Sequence, residues 1–271
     1  MFKINYLIIN GKLKDKGFML IELMLAVTLG LLLVSVVLEM YLTSIRNDRL
    51  QQALNQIQQN AKITIDILNS DIHKAGYIGC ARLTADFPIF SSTPYTLTFN
   101  NRISSQVSNE IVIRHASFPN AIMTAPMLDS SILTITQHVH FVAGDIAMIS
   151  DCQRAEIFQM KEIKTFKDKQ IIHTFSPLQH KYGPYAEVSR LEINTYFVAN
   201  THRTYADGTP IYSLFVKDIH QRKSELVEGI QYMSFHLDIS DRSRVVGTSM
   251  HFTVVTPLMK KIWYSYIAIN G

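Results

Sequence analysis

The sequence predicts an α+β protein in which one long N-terminal helix packs on a β-rich, mainly antiparallel body. Two observations predict this fold class. An apolar run from Phe18 to Leu38 continues into a helical stripe that ends at Ile72, with no glycine between Gly30 and Gly76 to interrupt it. After Gly76 the apolar period changes from 3.6 to 2, which is the period of half-buried strands.

The composition is that of a folded chain without a charged interaction surface. The 271 residues are 47% hydrophobic and 18% charged, which is ample for a packed core and excludes a disordered tail. The net charge of +4 comes mostly from four lysines before residue 18, so the rest of the chain is close to neutral. A near-neutral body does not attract a phosphate backbone, and we expect no direct binding of nucleic acid.

The apolar run of residues 18–38 predicts a transmembrane helix. It holds about 20 residues, which span roughly 30 Å as a helix and match the hydrocarbon core of a bilayer. The lysines precede it, so the positive-inside rule keeps the N-terminus in the cytoplasm and places the body in the periplasm. The residues after the run, Glu39 to Thr43, lack the small-residue pattern of a signal-peptidase site.

The segment after the membrane run predicts the second, amphipathic half of the same helix. Its apolar residues recur every three or four positions and form one stripe. The stripe consists of Leu54, Ile57, Ala61, Ile65, Leu68 and Ile72. We therefore expect a helix over residues 18–75 that packs its second half on a sheet, followed by a β-rich domain over 76–271.

Period-2 alternation in this domain predicts a series of strands. They are Glu110 to His115, Ser131 to Gln137, His138 to Phe141, Ile146 to Ser150, Glu156 to Glu162, Gln170 to Phe175, Arg190 to Ala199, Ile211 to Val216, Met233 to Ile239, Met250 to Pro257 and Ile262 to Ile269. A helical turn is expected at Lys223 to Gly229.

The start of the apolar run carries the most specific motif. A lone carboxylate, Glu22, lies within it, and a charge in hydrocarbon costs several kcal/mol, which predicts a functional role for this residue. The alternative is that Glu22 lies at the membrane interface and extends its carboxylate to water. Lys16-Gly17-Phe18 precedes Glu22, and this pattern resembles the processing site of type IV prepilins. The resemblance implies a leader of residues 1–17, cleavage after Gly17 by prepilin peptidase and N-methylation of Phe18.

The spacing within this motif has a physical basis. Residues four apart share a helix face, so the Glu22 carboxylate can approach the amine that cleavage creates at Phe18. A carboxylate in the first turn also complements the helix dipole. In the resembled family the partner of this carboxylate is the terminal amine of a neighbouring subunit, which sets the register of assembly.

Weaker patterns in the body resemble the PilW-type minor pilins. They are Gly144-Asp145-Ile146, Ser150-Asp151-Cys152, Thr195 to Asn200, Leu226 to Ile230 and Ile267 to Asn270. The resemblance implies a pilin-like fold and a structural subunit at or near the pilus tip. Its partners would be other minor and major pilins, the prepilin peptidase, the inner-membrane assembly platform and a tip adhesin. The protein would lie in the inner membrane before assembly and in the surface fibre afterwards.

The chain has two cysteines. Cys80 follows the long helix, and Cys152 lies at the end of a predicted strand, so a bond between them would tie the connection between helix and sheet to the sheet. Because the body is translocated into an oxidising compartment, we expect a disulfide rather than two buried thiols. Closing a loop of about 70 residues would stabilise the body by about 4 kcal/mol on the chain-entropy model. The family resemblance points to the same disulfide.

No residue pattern predicts catalysis, a metal or a cofactor. His138 and His140 share a strand face, but two imidazoles make an incomplete metal site. Asp238 and Asp241 lack the spacing of a calcium loop. The chain has no nucleophile elbow, phosphate loop or dinucleotide fingerprint, so we expect a non-enzymatic protein.

Two alternatives remain open at this stage. A J-type pseudopilin of a type II secretion system would share everything up to residue 75. A signal-anchored periplasmic enzyme or binding protein would lack cleavage after Gly17 and would tolerate replacement of Glu22. The sequence also leaves open whether a pilus would serve twitching motility, adhesion or DNA uptake.

Overall fold

A computed structural model describes residues 20–269 apart from 81–82, 106, 108, 138 and 240–244. One helix, α1, runs from Leu20 to Lys74. By compactness the chain divides into an N-terminal unit, Met1–Gln52, and a second unit, Ala53–Gly271, which we call the body. One long apolar N-terminal helix is thus followed by an antiparallel β-rich body, as the sequence predicts.

The chain just after the helix is hydrogen-bonded to a strand of the sheet. His73 and Lys74 place basic groups in the last turn, which favours the negative end of the helix dipole. Gly76 follows in a left-handed conformation with φ of +77°, which glycine adopts without strain. Its N–H donates to the Arg114 carbonyl at 2.9 Å, so the chain leaves the helix directly onto a strand.

The strands, numbered in chain order, all belong to the body. They are β1 Ile89–Ser91, β2 Ile103–Ser104, β3 Glu110–Ala116, β4 Ala121–Ile122, β5 Ile132–Thr136, β6 Ile146–Ser150, β7 Ala155–Phe166, β8 Lys169–Thr174, β9 Glu187–Thr204, β10 Pro210–Lys217, β11 Lys223–Glu228, β12 Ile230–Ile239, β13 Val245–Thr256 and β14 Met259–Ala268.

The larger sheet contains 11 strands and is organised around β9. Its main order is β11-β10-β9-β6-β7-β8-β5, and β3 and β4 also pair with β9. The first part of β9 pairs with β6 and β4, and its later part pairs with β3 and β10. All of these pairings are antiparallel, and β1 adds a parallel pairing to β7. One long strand therefore joins both halves of the sheet.

The smaller sheet is a three-stranded antiparallel meander, β12-β13-β14. Its inner face joins the second half of α1 and strands of the larger sheet in one apolar cluster. That cluster includes Ile57, Leu68, Ile72, Ile111, Leu214, Phe235, Phe252 and Ile267. Burial of this surface, at about 25 cal/mol per Å², attaches the helix to the body.

Most strand predictions are confirmed, and two elements differ. Lys223 to Gly229, expected as a helical turn, forms β11 instead because it pairs with β10. His138 lies outside the described residues, and Val139 to Phe141 are not in a strand. The short strands β1, β2 and β4 have too few residues for a period-2 signal, so the sequence did not reveal them.

The buried stripe of α1 is rotated slightly from the predicted one. Leu54 and Ile65 are only half-buried, whereas Thr64 and Asp71 are buried. Thr64 satisfies its hydroxyl within the helix by donating to the Asn60 carbonyl at 2.8 Å. A polar residue is therefore tolerated in this stripe where its hydrogen bonds are met locally.

Candidate functional site

The N-terminal unit presents an apolar helix surface with one acidic residue at its start. Every large apolar side chain between Leu20 and Leu42 is exposed within this unit. Glu22 lies in the first described turn of α1. Gly17 and Phe18, the predicted cleavage and methylation positions, lie outside the described residues.

This part of α1 is long and apolar enough to cross a membrane. A bilayer would bury the exposed leucine and valine side chains that a soluble protein cannot leave in water. The finding is compatible with a single-pass anchor near the N-terminus. Other apolar helices could cover the same surface of α1 in place of lipid.

The last turn of α1 is fixed to the sheet by a buried polar network. Asp71, which is 6% exposed, places Oδ1 3.1 Å from Nε2 of His115 on β3. Its Oδ2 accepts hydrogen bonds at 2.9 Å from Asn194 Nδ2 and Tyr196 Oη, both on β9. The Lys74 Nζ lies 3.9 Å from Oδ1. One carboxylate thus connects the helix to two strands.

The surroundings of His115 indicate that its ring is doubly protonated. Nδ1 lies 2.9 Å from the Ala116 carbonyl oxygen, which can only accept. Nε2 faces Asp71 Oδ1 and, at 3.6 Å, Glu192 Oε2. Since both ring nitrogens face acceptors, both must donate, and we infer a charged imidazolium paired with Asp71.

The pKa shifts agree with this assignment. Burial alone would disfavour both charges, but the hydrogen bond and charge of Asp71 outweigh it and raise the pKa of His115. Burial likewise opposes ionisation of Asp71, but the His115 contact and the Asn194 and Tyr196 hydrogen bonds lower its pKa. Both shifts favour the charged forms, so the two side chains stabilise each other as an ion pair at the end of the helix.

Sequence reasoning missed this network because its members are far apart in the chain. Neither Asp71 nor His115 was a candidate site residue in the sequence. The one available signal was a carboxylate three residues after Leu68 and next to Ile72, within the buried helix face.

The structure brings the two predicted disulfide partners together. The Sγ atoms of Cys80 and Cys152 lie 2.9 Å apart as two thiols, and both residues are exposed. A disulfide requires about 2.05 Å between the sulfur atoms, so the bond itself stays a prediction. The pair lies where the chain has left α1 and where β6 gives way to β7.

The surroundings of Cys80 do not favour a nucleophile. Desolvation, the hydrogen bond with Cys152 and the charges of Glu187 and Asp151 raise the pKa of Cys80 to about 12. The thiolate, which is the reactive form, is therefore scarce at neutral pH. The neighbouring Gly79 has φ of +96°, and a Cβ there would lie 2.5 Å from Glu187 Oε2. The low reactivity of the Cys80 thiol and the close packing beside it suit a structural crosslink.

Replacing Cys80 or Cys152 by serine is expected to lower the free energy of unfolding by up to about 4 kcal/mol, because the unfolded chain regains the entropy of an open loop. The double variant should lose no more than either single variant, since each change breaks the same bond. Chemical unfolding with and without reductant measures this. Alkylation of both thiols in unreduced protein from the periplasm would contradict the prediction.

A second buried polar cluster lies at the start of β7. Glu156 is 0% exposed, and its Oε1 accepts a hydrogen bond from the Gln179 N–H at 2.7 Å. Its Oε2 lies 3.7 Å from His180 Nδ1, and neither of these two atoms has a hydrogen-bond partner in the described part of the chain. Burial, together with the Glu156 charge, raises the pKa of Tyr182.

A carboxylate and an imidazole can exchange protons in catalysis. The Glu156 side chain is 0% exposed, whereas that of His180 is 28% exposed. In this structure the Glu156 carboxylate is therefore closed to solvent, and only His180 reaches the surface.

Two of the residues considered for metal binding are described in the structure. The main-chain carbonyl of His140 accepts a hydrogen bond from Arg190 Nη2, and the Asp238 side chain accepts one through Oδ2 from Ser249 Oγ at 3.1 Å. His138 and Asp241 lie outside the described residues. Within the described ranges no three His, Cys, Asp or Glu side chains converge as metal ligands.

No protein-family model, curated protein or solved structure matches this chain. The function is therefore argued from the residues and contacts above. The features that carry most weight are the apolar helix surface with Glu22 at its start and the network that holds the last turn of the helix.

Proposed function

We propose that this protein is a minor pilin of a type IV pilus: a structural, non-enzymatic subunit that joins other minor pilins at or near the fibre tip and helps to start assembly. The observation that carries the proposal is Glu22 in the first turn of an apolar helix that continues into the core of the body. The Lys16-Gly17-Phe18 motif that precedes Glu22 would be the site at which prepilin peptidase cleaves the chain.

The apolar half of α1 explains how the subunit would assemble with others into a fibre. While the subunit lies in the membrane, lipid covers the side chains between Leu20 and Leu42. When the subunit leaves the bilayer, the same surface must be covered by helices of neighbouring subunits, since its exposure to water costs about 25 cal/mol per Å². In these apolar surroundings the Glu22 carboxylate can pair with the amine of a processed neighbour, which stabilises its charge.

The second half of α1 explains how mechanical force would pass from the helix to the body. A subunit in a fibre is held by its helix, while its body makes the outer contacts. The apolar cluster around Ile57, Leu68 and Ile72 attaches this half of the helix to the body. The ion pair of Asp71 with His115 fixes the last turn. Load applied to the helix is thereby transmitted to β3 and β9.

The test is the intact mass and N-terminal sequence of the protein from cells with and without prepilin peptidase. We expect a chain that begins at N-methylated Phe18 only when the peptidase is present. Gly17→Ala is the matched variant, because it should leave the leader attached in both strains. A chain that still begins at Met1 in the presence of the peptidase would contradict the proposal and favour the signal-anchored alternative.

The J-type pseudopilin alternative passes the same processing test, so a second measurement separates it. Deletion of the gene should abolish or strongly reduce surface pili and leave secretion of folded exoproteins intact. The reverse outcome would assign the chain to a secretion system. A periplasmic enzyme or binding protein would leave both pili and secretion unchanged.

A further inference from the structure

A cleft opens on the body where the turn between β10 and β11 approaches the start of β6. It consists of two adjoining cavities with volumes of about 350 and 330 Å³. Ile146 on β6 and His220 in the turn line both cavities, so the cavities meet between these two residues. Ile146 is buried and His220 is exposed, which places the cleft at the surface of the larger sheet.

The first cavity is lined by side chains that carry hydroxyl or amide groups. They are Ser92, Thr93, Tyr95, Gln159 and Ser176. Among the described residues around this cavity none is Asp, Glu, Lys or Arg. Phe175 adds an aromatic ring to the lining and is 58% exposed. Because a hydroxyl group both donates and accepts hydrogen bonds, these walls suit a ligand that is itself rich in hydroxyl groups.

Hydrogen bonds hold the walls of the cleft in place. Tyr95 Oη donates to the Ile219 carbonyl at 3.4 Å, which joins the segment after β1 to the turn between β10 and β11. Within that turn Asp218 Oδ1 accepts a hydrogen bond from the His220 N–H at 2.9 Å. A site that is already formed loses little conformational entropy when a ligand binds, so these contacts favour binding.

The second cavity is lined by charged side chains that are already paired. Arg190 Nε lies 3.1 Å from Asp145 Oδ2, and Arg222 Nε lies 2.7 Å from Asp218 Oδ2. Glu192, the other carboxylate among the described lining residues, lies 3.6 Å from the imidazolium of the helix network. A charged ligand would therefore have to displace an existing partner, whereas a neutral hydroxyl group can bond a lone pair or N–H group that the pairs leave open.

We propose that this cleft binds a neutral saccharide. A sugar ring carries hydroxyl groups around its rim and C–H groups on its two faces. The hydroxyl groups match the polar walls of both cavities, and a C–H face matches the exposed ring of Phe175. The assignment is independent of the pilus proposal, because every residue that carries it belongs to the body.

Other classes of ligand fit the cleft less well. A phosphate or carboxylate group would need an unpaired cation, and both arginines of the cleft have carboxylate partners. A peptide strand would need an open sheet edge, but β6 is paired with β7 on one side and β9 on the other. An apolar ligand would leave the hydroxyl and amide groups of the first cavity without partners, which is costly.

Calorimetric titration of the full chain with trisaccharides tests the proposal. The protein is kept in a detergent without a sugar headgroup, because an alkyl glycoside would itself compete for the cleft. The neutral probes are maltotriose, cellotriose and chitotriose in its N-acetylated form, and trigalacturonic acid is the anionic probe of similar size. We expect at least one neutral probe to bind, and the anionic probe to bind at least about tenfold more weakly.

Two variants locate the binding in the cleft. Phe175→Ala removes the exposed ring and should weaken binding of the neutral probe by about tenfold. His220→Ala changes the wall that both cavities share and should weaken it by about fivefold, the effect of one lost hydrogen bond. The matched control is Phe166→Ala, because Phe166 is 60% exposed but lines neither cavity, and it should leave the affinity within about twofold.

The outcomes that would overturn the proposal are equally specific. They are no binding of any neutral probe, tighter binding of the anionic probe, unchanged affinity in both cleft variants, or an equal loss in Phe166→Ala. If Phe175→Ala lowers the thermal midpoint, His220→Ala decides the result, because an exposed side chain in a turn can be shortened without a change in the core.

Discussion

Replacement of Asp71 by alanine is expected to lower the free energy of unfolding of the body by about 3 to 5 kcal/mol. The change removes one partner of a buried ion pair and leaves the His115 imidazolium without its counter-ion, which is the costly way to break such a pair. It also removes the acceptor for Asn194 Nδ2 and Tyr196 Oη, and a buried donor without a partner costs about 1 to 3 kcal/mol. Denaturant unfolding measures the loss.

Two controls make this result specific. Asp66→Ala removes an exposed carboxylate from the same helix and should change stability by less than about 0.5 kcal/mol. The double variant Asp71→Leu with His115→Leu should recover much of the loss, because a buried pair replaced by apolar residues of similar volume is often neutral. A loss below about 1 kcal/mol for Asp71→Ala would contradict the network described above.

The ion pair of Asp71 and His115 should also make the stability of the body depend on pH. The pKa of His115 is raised, so its contribution is complete below about pH 6.5 and is lost as the pH rises through the folded-state value. The pKa of Asp71 is lowered, so its contribution is complete above about pH 4 and is lost as the pH falls through its folded-state value. The difference in stability between wild type and Asp71→Ala should therefore be largest between about pH 4 and 6.5.

Under the proposed function, replacement of Glu22 by alanine is expected to reduce the incorporation of the subunit into surface fibres by about tenfold or more. A charge within the apolar part of a membrane helix costs up to about 2.5 to 3.5 kcal/mol, the value at the bilayer centre, and a cationic partner recovers part of this. Loss of a pairing energy of about 1.4 kcal/mol already corresponds to a tenfold change in equilibrium. The amount of subunit in sheared fibres, relative to the amount in the membrane fraction, measures the effect.

The matched control for Glu22 is Glu39→Ala, on the same helix but beyond the apolar run. It should leave incorporation unchanged, because an exposed carboxylate at the membrane interface has no need of a partner in lipid. Membrane levels of both variants should equal those of the wild type, which separates assembly from insertion. Normal fibre incorporation of Glu22→Ala would refute the intramembrane pairing and favour a simple membrane anchor.

Local patterns in the sequence predicted the elements well. The uninterrupted apolar spacing from Leu20 to Ile72 predicted α1, since a helix needs only a period and the absence of breakers. Alternation predicted the longer strands, such as β3, β6 and β13. It failed for Lys223–Glu228, where the local composition suits a turn of helix and only pairing with β10 makes the segment extended.

The sequence by itself therefore determined the fold class, the long apolar N-terminal helix and the motif at Gly17, Phe18 and Glu22, because these depend on residues close together in the chain. It also predicted Cys80 and Cys152 as partners, and the structure brings their sulfur atoms to 2.9 Å. Only the tertiary structure decided that Asp71, His115 and Tyr196 form one network and that Phe175 and His220 line one cleft. Those features depend on contacts between residues far apart in the chain, and side-chain period carries no information about which segments become neighbours.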